Sequence, residues 1–155
     1  MIDSLQLRQL IPPLTARTLD GVTVRAWDYK QKRNLVIAML HADCPNCKLW
    51  LSQLTARAAE LVELESVGMI IFSESPPRSA ELLPTPFVAA VDPSGQSHRA
   101  FLGKTAFGPA GQDRVGVFVT DRYGELYAQW SAREASEIPA VNEILKPILQ
   151  IQMAC

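Results

Sequence analysis

Apolar runs long enough to cross a bilayer are missing from this 155-residue chain, and its 15 basic and 16 acidic residues leave a net charge of only −1. The first absence points away from a spanning helix, which needs about 18 or more consecutive apolar residues. The second removes the electrostatic footprint of a nucleic-acid binder or of a protein held on an anionic surface. Cysteine is scarce too, at three residues, and histidine at two. Three cysteines cannot build the disulfide framework of a small secreted scaffold. The segment Met1-Ile2-Asp3-Ser4-Leu5 has no basic stretch followed by an apolar one, so the expected compartment is the cytoplasm, with no membrane and no nucleic acid among the partners.

What the chain does have is core material. With 48% hydrophobic residues it is the size of one ordinary domain. The expectation is a single domain over 1–155, in which 1–33 form an N-terminal hairpin extension and connector and 34–155 form the core. An Asp20-Gly21 turn signal separates two short strand-like segments. The polar stretch 28–34 then leads into the apolar run 35–40, long enough for a strand buried on both faces. Apolar residues at Trp50, Leu51, Leu54, Ala58, Leu61 and Val62 recur at helical spacing and predict one continuous helix. Further strands are predicted over 67–73, 87–91, 115–120 and 125–130, the last two as a hairpin around Asp121–Gly124. Short helices are expected at 78–83 and 96–102, and a loop at 103–114. The tail from Ala135 to Met153 carries a helical stripe that Pro147 should kink or interrupt.

The densest chemistry lies in Cys44-Pro45-Asn46-Cys47, where a buried strand meets a helix. A disulfide needs Cα atoms roughly 4.4–6.8 Å apart, and residues i and i+3 of a first helical turn fall in that range. With Cys44 at the cap and Pro45 at the first helical position, the unpaired backbone N–H groups of the turn face the Cys44 sulfur and favour its thiolate. Cys47 is partly covered by its own helix, which assigns Cys44 as nucleophile and Cys47 as resolving thiol. Two plainer readings stand beside this one: a structural zinc half-site, and a pair of unreactive cysteines. Zinc asks for four ligands, and beyond the pair the chain offers only Cys155, His41 and His98. No metal and no organic cofactor is expected.

The segments LDGVTVRAWDYKQKRNLVI, HADCPNCKLWLSQL and GVFVTDRYGELYAQW together resemble the thioredoxin-fold superfamily, and within it the redoxin branch that includes the alkyl hydroperoxide reductase/thiol-specific antioxidant proteins. The resemblance implies an α/β fold, a thioredoxin-like three-layer α/β/α arrangement around a central mixed sheet. It also implies disulfide or peroxide substrates and a cellular thiol reductant as partners, and it is silent on oligomeric state. The chain departs from the peroxiredoxin pattern at Ile37 and His41, which stand where those relatives place proline and a serine or threonine. Val115, with Arg114 just upstream, stands where relatives place a catalytic arginine or, in thioredoxins, a cis-proline. Asp43 takes the place of the tryptophan that often precedes the first cysteine and opposes the Cys44 thiolate by like charge, whereas Lys48 favours it. His41 is a candidate proton shuttle, because histidine is the side chain whose unperturbed charge change lies near cellular pH. The expected activity is thiol-disulfide exchange at Cys44 and Cys47. The alternatives are a thiol peroxidase using the same pair and a redox-inactive interaction module.

Overall fold

The computed structural model describes residues 5–42, 44–74, 83–108 and 113–154. Its frame is a seven-stranded sheet in the order β2-β1-β5-β4-β3-β6-β7. The strands are β1 Thr15–Thr18, β2 Thr23–Arg25, β3 Asn34–Leu40, β4 Ser66–Phe72, β5 Phe87–Val91, β6 Val115–Thr120 and β7 Leu126–Ala132. β3, β4 and β5 run parallel, while β6, β7 and the N-terminal pair are antiparallel to their neighbours. The sheet is therefore mixed, as expected. The leading hairpin also forms, and it does not stand apart as an extension: β1 pairs with β5, making the hairpin one edge of the sheet.

β3 is buried at all seven positions. Such a strand has no water for its backbone, so both of its edges must be paired; β4 pairs with one along its whole length and β6 with the other. Side chains alternate across the pleat. Val36, Ala38 and Leu40 enter one apolar cluster, with α1 Pro45–Thr55, α2 Ala58–Glu63 and α4 Val141–Ala154. Leu35, Ile37 and Met39 enter the other, with α3 Gln96–Leu102 and the N-terminal Leu14 and Ala16. Helices cover both faces, which gives the three layers.

Two expectations need correction. The helix after Cys44 is divided into α1 and α2, with Ala56 as the C-cap of α1. Ser52 and Thr55 each return a hydroxyl to the carbonyl three residues earlier, at 2.7 and 3.1 Å, a local bond that competes with the helical ladder and bends it. The new axis buries Leu61 but leaves Val62 exposed. Arg57 fixes the corner by pairing with Glu60 and reaching Asn142 Oδ1 of α4 at 2.6 Å.

Pro147, secondly, does not interrupt α4, which runs unbroken from Val141 to Ala154. One missing N–H is outweighed by the burial of Ile144, Leu145, Ile148 and Ile151 against the sheet. The predicted 78–83 helix falls mainly outside the described residues; Leu83 is described and lies outside any helix.

α3 begins after the Asp92–Gly95 turn. Burial of the Asp92 carboxyl works to raise its pKa, but hydrogen bonds from Ser94 and Ser97 outweigh that and hold it below the usual range. Gly116, next to Val115, has a different role: a Cβ there would lie 2.5 Å from Leu102 Cδ2 and 3.1 Å from the Trp130 carbonyl. A side chain would force β6 away from α3. Gly116→Ala is expected to destabilise the fold by about 1–3 kcal/mol, the usual range for overpacking. A shift of that size in the urea midpoint at unchanged m-value is the measurement; no shift would show that α3 yields freely.

Candidate active site

α1 starts where the sequence places it. Cys44 is the N-cap with extended backbone (φ −148°, ψ 97°), Pro45 is the first helical residue, and the Cys44 sulfur accepts the Cys47 amide at 3.1 Å. Proline supplies no N–H there, so the Cys47 amide is among the first free donors of the helix, and it is aimed at sulfur. Cys44 and Cys47 are joined in a disulfide with a Cα separation of 5.1 Å. That separation lies inside the range for an unforced bridge.

The two cysteines are not equivalent. Cys47 is 2% exposed and sits in the cluster with Trp50, Leu51 and Leu54, residues spaced along one face of α1. Cys44 is partly exposed and only packs against that cluster. A reagent from solution therefore reaches Cys44 first. Pro45 and Asn46 are exposed, and Val115, at the start of β6, is buried in the same cluster as Cys47. Lys48 is exposed and lines, with Leu40, His41, Leu51 and Phe72, a cavity of about 150 Å³ at the Cys47 side of the helix. Asp43 and Cys155, both singled out from sequence, lie outside the described residues.

His41 is buried with both ring nitrogens engaged. Nε2 lies 2.7 Å from the Arg114 carbonyl oxygen and Nδ1 lies 3.1 Å from Ser73 Oγ. A carbonyl only accepts, so Nε2 carries a hydrogen; in the neutral ring, Nδ1 then accepts from the serine hydroxyl. This pins the residue before β6. The Arg114 amide is held too, donating to the Ala106 carbonyl at 2.8 Å. The Arg114 side chain makes no ion pair among the described residues.

His98 gave no functional signal of its own in the sequence, beyond being a possible zinc ligand. It is fully buried, its Nε2 donates to the carbonyl of Leu40 at 3.0 Å, and its ring centroid is 5.2 Å from that of His41. Phe107 flanks both rings. The signal for its burial was the spacing His98, Phe101, Leu102, which puts it on the inner face of α3. The partner Ser73 and the wall residue Phe72 had no such signal, because only the parallel pairing of β4 with β3 brings them to the site. Among the described residues no cluster of three or more histidine, cysteine or acidic side chains could hold a metal.

Burial pushes His98 down to about 4, with the nearby His41 acting in the same direction and the Leu40 carbonyl opposing them. The unfolded histidine titrates near 6.5. Because the folded pKa is the lower one, the unfolded chain binds more protons between these values, so stability is intact above about pH 6.5 and falls as the pH drops toward 4. Acid titration of unfolding free energy should show a loss approaching about 3 kcal/mol from this residue. His98→Gln keeps a donor for Leu40 without a titrating ring and should flatten that part of the curve; an unchanged slope would assign the loss elsewhere.

No family model matches the chain, and no curated protein matches it in sequence. Solved structures do. A DsbE candidate thiol:disulfide interchange protein from Chlorobium tepidum superposes with a TM-score of 0.67 at 18% identity, covering 94% of this chain and 99% of that one. The thioredoxin domain of a thiol-disulfide oxidoreductase from Bacteroides vulgatus gives 0.63 at 14% identity, covering 81% and 89%. Peroxidoxin BcpB from Mycobacterium tuberculosis gives 0.76 at 16% identity, covering 95% and 98%. At these identities the likeness speaks for architecture: the chain has the thioredoxin-like α/β fold, with a C-x-x-C pair at the start of α1.

Proposed function

We propose that the protein is a thiol-disulfide oxidoreductase. The observation that carries the reading is the asymmetric pair, a partly exposed Cys44 at a helix N-terminus bonded to a buried Cys47. In the reduced protein the Cys44 thiolate attacks a substrate disulfide. One sulfur of the substrate leaves as thiolate, and a mixed disulfide forms. Cys47 then loses its proton and attacks the Cys44 sulfur, which releases the second substrate thiolate and closes the Cys44–Cys47 bond. Two electrons pass to the substrate, and a cellular thiol reductant returns them.

The Cys47 amide and the first-turn dipole stabilise negative charge on Cys44 at both ends of this cycle: in the attacking thiolate and when Cys44 is the leaving group on re-reduction. The cavity beside Cys47, apolar apart from Lys48, His41 and the hydroxyls at its rim, supports a peptide substrate that buries an apolar side chain next to the reacting disulfide. In this reading Cys44→Ser abolishes turnover of a model protein disulfide, while Cys47→Ser accumulates mixed disulfides visible on non-reducing gels. Iodoacetamide on the native reduced protein should label Cys44 well before Cys47. The opposite order would reverse the assignment.

A second reading, thiol peroxidase, is favoured by the likeness to the peroxidoxin and by the position of Arg114. There the Cys44 thiolate would attack one peroxide oxygen, breaking the O–O bond and releasing the other oxygen as hydroxide, and Cys47 would then attack the resulting sulfenic acid and release its oxygen as water. Against it, His41 stands where those relatives place a serine or threonine, and with both ring nitrogens hydrogen-bonded to Ser73 and Arg114 it offers the peroxide no free donor. Stopped-flow Trp50 fluorescence with hydrogen peroxide should give a rate close to that of a free thiolate, and disulfide exchange should be markedly faster than for a free thiol. Fast peroxide oxidation that drops sharply in Arg114→Ala would reject the oxidoreductase reading and establish the peroxidase.

A further inference from the structure

A second cavity lies away from the cysteines. It lies at the other end of β3, where the chain enters the strand, beneath the connector 26–33 and the β6–β7 turn. Its volume is about 250 Å³; the buried Leu14 and Leu35 form its inner wall, and the half-buried Pro12 and exposed Pro13 line it further out. That is close to the lower limit for small-molecule sites, roughly 300 Å³. Cys44 follows the opposite end of the strand, so none of the thiol chemistry above uses this cavity.

Two features give the cavity a chemical preference. Its mouth is apolar and open to solvent, with Leu10 70% and Trp27 69% exposed, an unusual disposition for large apolar side chains flanking one opening. Around that mouth stand four cations, Arg25, Lys30, Arg33 and Arg122, against a single lining carboxylate, Asp121. Asp121 is turned to the backbone, its Oδ1 accepting the amides of Tyr123 and Glu125 at 2.9 and 3.0 Å. Asp28, on the connector, accepts the Arg25 amide at 2.9 Å. Arg122 meets Glu65 only at 3.5 Å, and Arg33 bonds the Lys32 carbonyl at 2.8 Å. Positive charge remains in excess over an apolar well.

We propose that this cavity binds an amphipathic carboxylate, its alkyl body against Pro12, Pro13, Leu14 and Leu35 and its headgroup among Lys30, Arg33 and Arg122. An alkyl body fits better than an aromatic one because the Trp27 ring already carries the Lys30 ammonium, 4.1 Å from its centroid. A single negative charge fits better than a phosphate dianion because Asp121 shares the rim and would repel the second charge. Arginine and lysine around the headgroup supply charge-assisted hydrogen bonds without a buried ion.

Isothermal titration of the full chain with decanoate, decylamine and decanol, each below its micellar concentration, tests this. Decanoate should bind saturably at one site per chain, about tenfold or more tighter than decanol, and decylamine should not bind. Lys30→Gln with Arg33→Gln should remove most of the preference for decanoate over decanol, and Arg33→Gln alone, at an exposed position, should weaken it while leaving thermal stability unchanged. Cys44→Ser should bind as the parent does, so the result stands apart from the redox reading. Absence of saturable decanoate binding, equal binding of decanol, or binding only to anionic phospholipid vesicles would overturn the proposal; the last would make this face a membrane contact instead.

Discussion

A strand with no exposed residue cannot simply stop; its last polar groups must be met by something other than water. The end of β3 is met by two histidines. His98 reaches across from α3 to the carbonyl of Leu40, and His41, the first residue past the strand, donates to the carbonyl of Arg114 at the mouth of β6. These contacts fix where the backbone leaves the sheet, and three residues later Cys44 caps α1. The position of the Cys44 sulfur is thus inherited from how the most buried strand is terminated. A cap placed by a rigid strand holds its donors in advance, which is worth more than donors that must be gathered during reaction.

The same arrangement makes two identical thiols inequivalent. Cys47 occupies a position of α1 that the apolar stripe turns inward, and its burial is the burial of Trp50, Leu51 and Leu54. Cys44 precedes the helix and escapes the stripe. No polar group distinguishes them so much as this three-residue offset along one turn. Reversing it would require rotating α1, which the Arg57 corner and the packing of α1 against α4 oppose.

Periodicity carried most of the architecture. All seven strands, the Cys44 cap and α3 follow from patterns of two, of 3.6 and from turn residues, because those patterns report burial directly. The break between α1 and α2 does not, since Ser52 and Thr55 are ordinary helix-surface residues until their hydroxyls turn back on the chain. Pro147 does not interrupt α4 for the opposite reason: a local rule is outweighed by the buried side chains Ile144, Leu145, Ile148 and Ile151 around it. Within the site, the cysteines were legible and their surroundings less so. Ser73, Phe72 and His98 come from segments 25 or more residues beyond Cys47, and only pairing and packing of the sheet bring them near.

Ile37, His41 and Val115, the three positions at which the sequence departs from the peroxiredoxin pattern, share a physical character. Ile37 faces the α3 layer, Val115 closes the cluster around Cys47, and His41 spends both nitrogens on Ser73 and Arg114. Where a peroxidase needs groups free to hold and polarise an O–O bond, this chain has groups committed to packing and to holding the backbone. Disulfide exchange asks less of its surroundings: a thiolate, a leaving group of low basicity and an approach line for a second sulfur. A helix N-cap beside a histidine that is already fully hydrogen-bonded supports those three. His41 cannot supply an added donor without first breaking one of its own hydrogen bonds, whereas the Arg114 guanidinium, on a backbone tethered at both its amide and its carbonyl, makes no ion pair among the described residues and can be recruited without that cost.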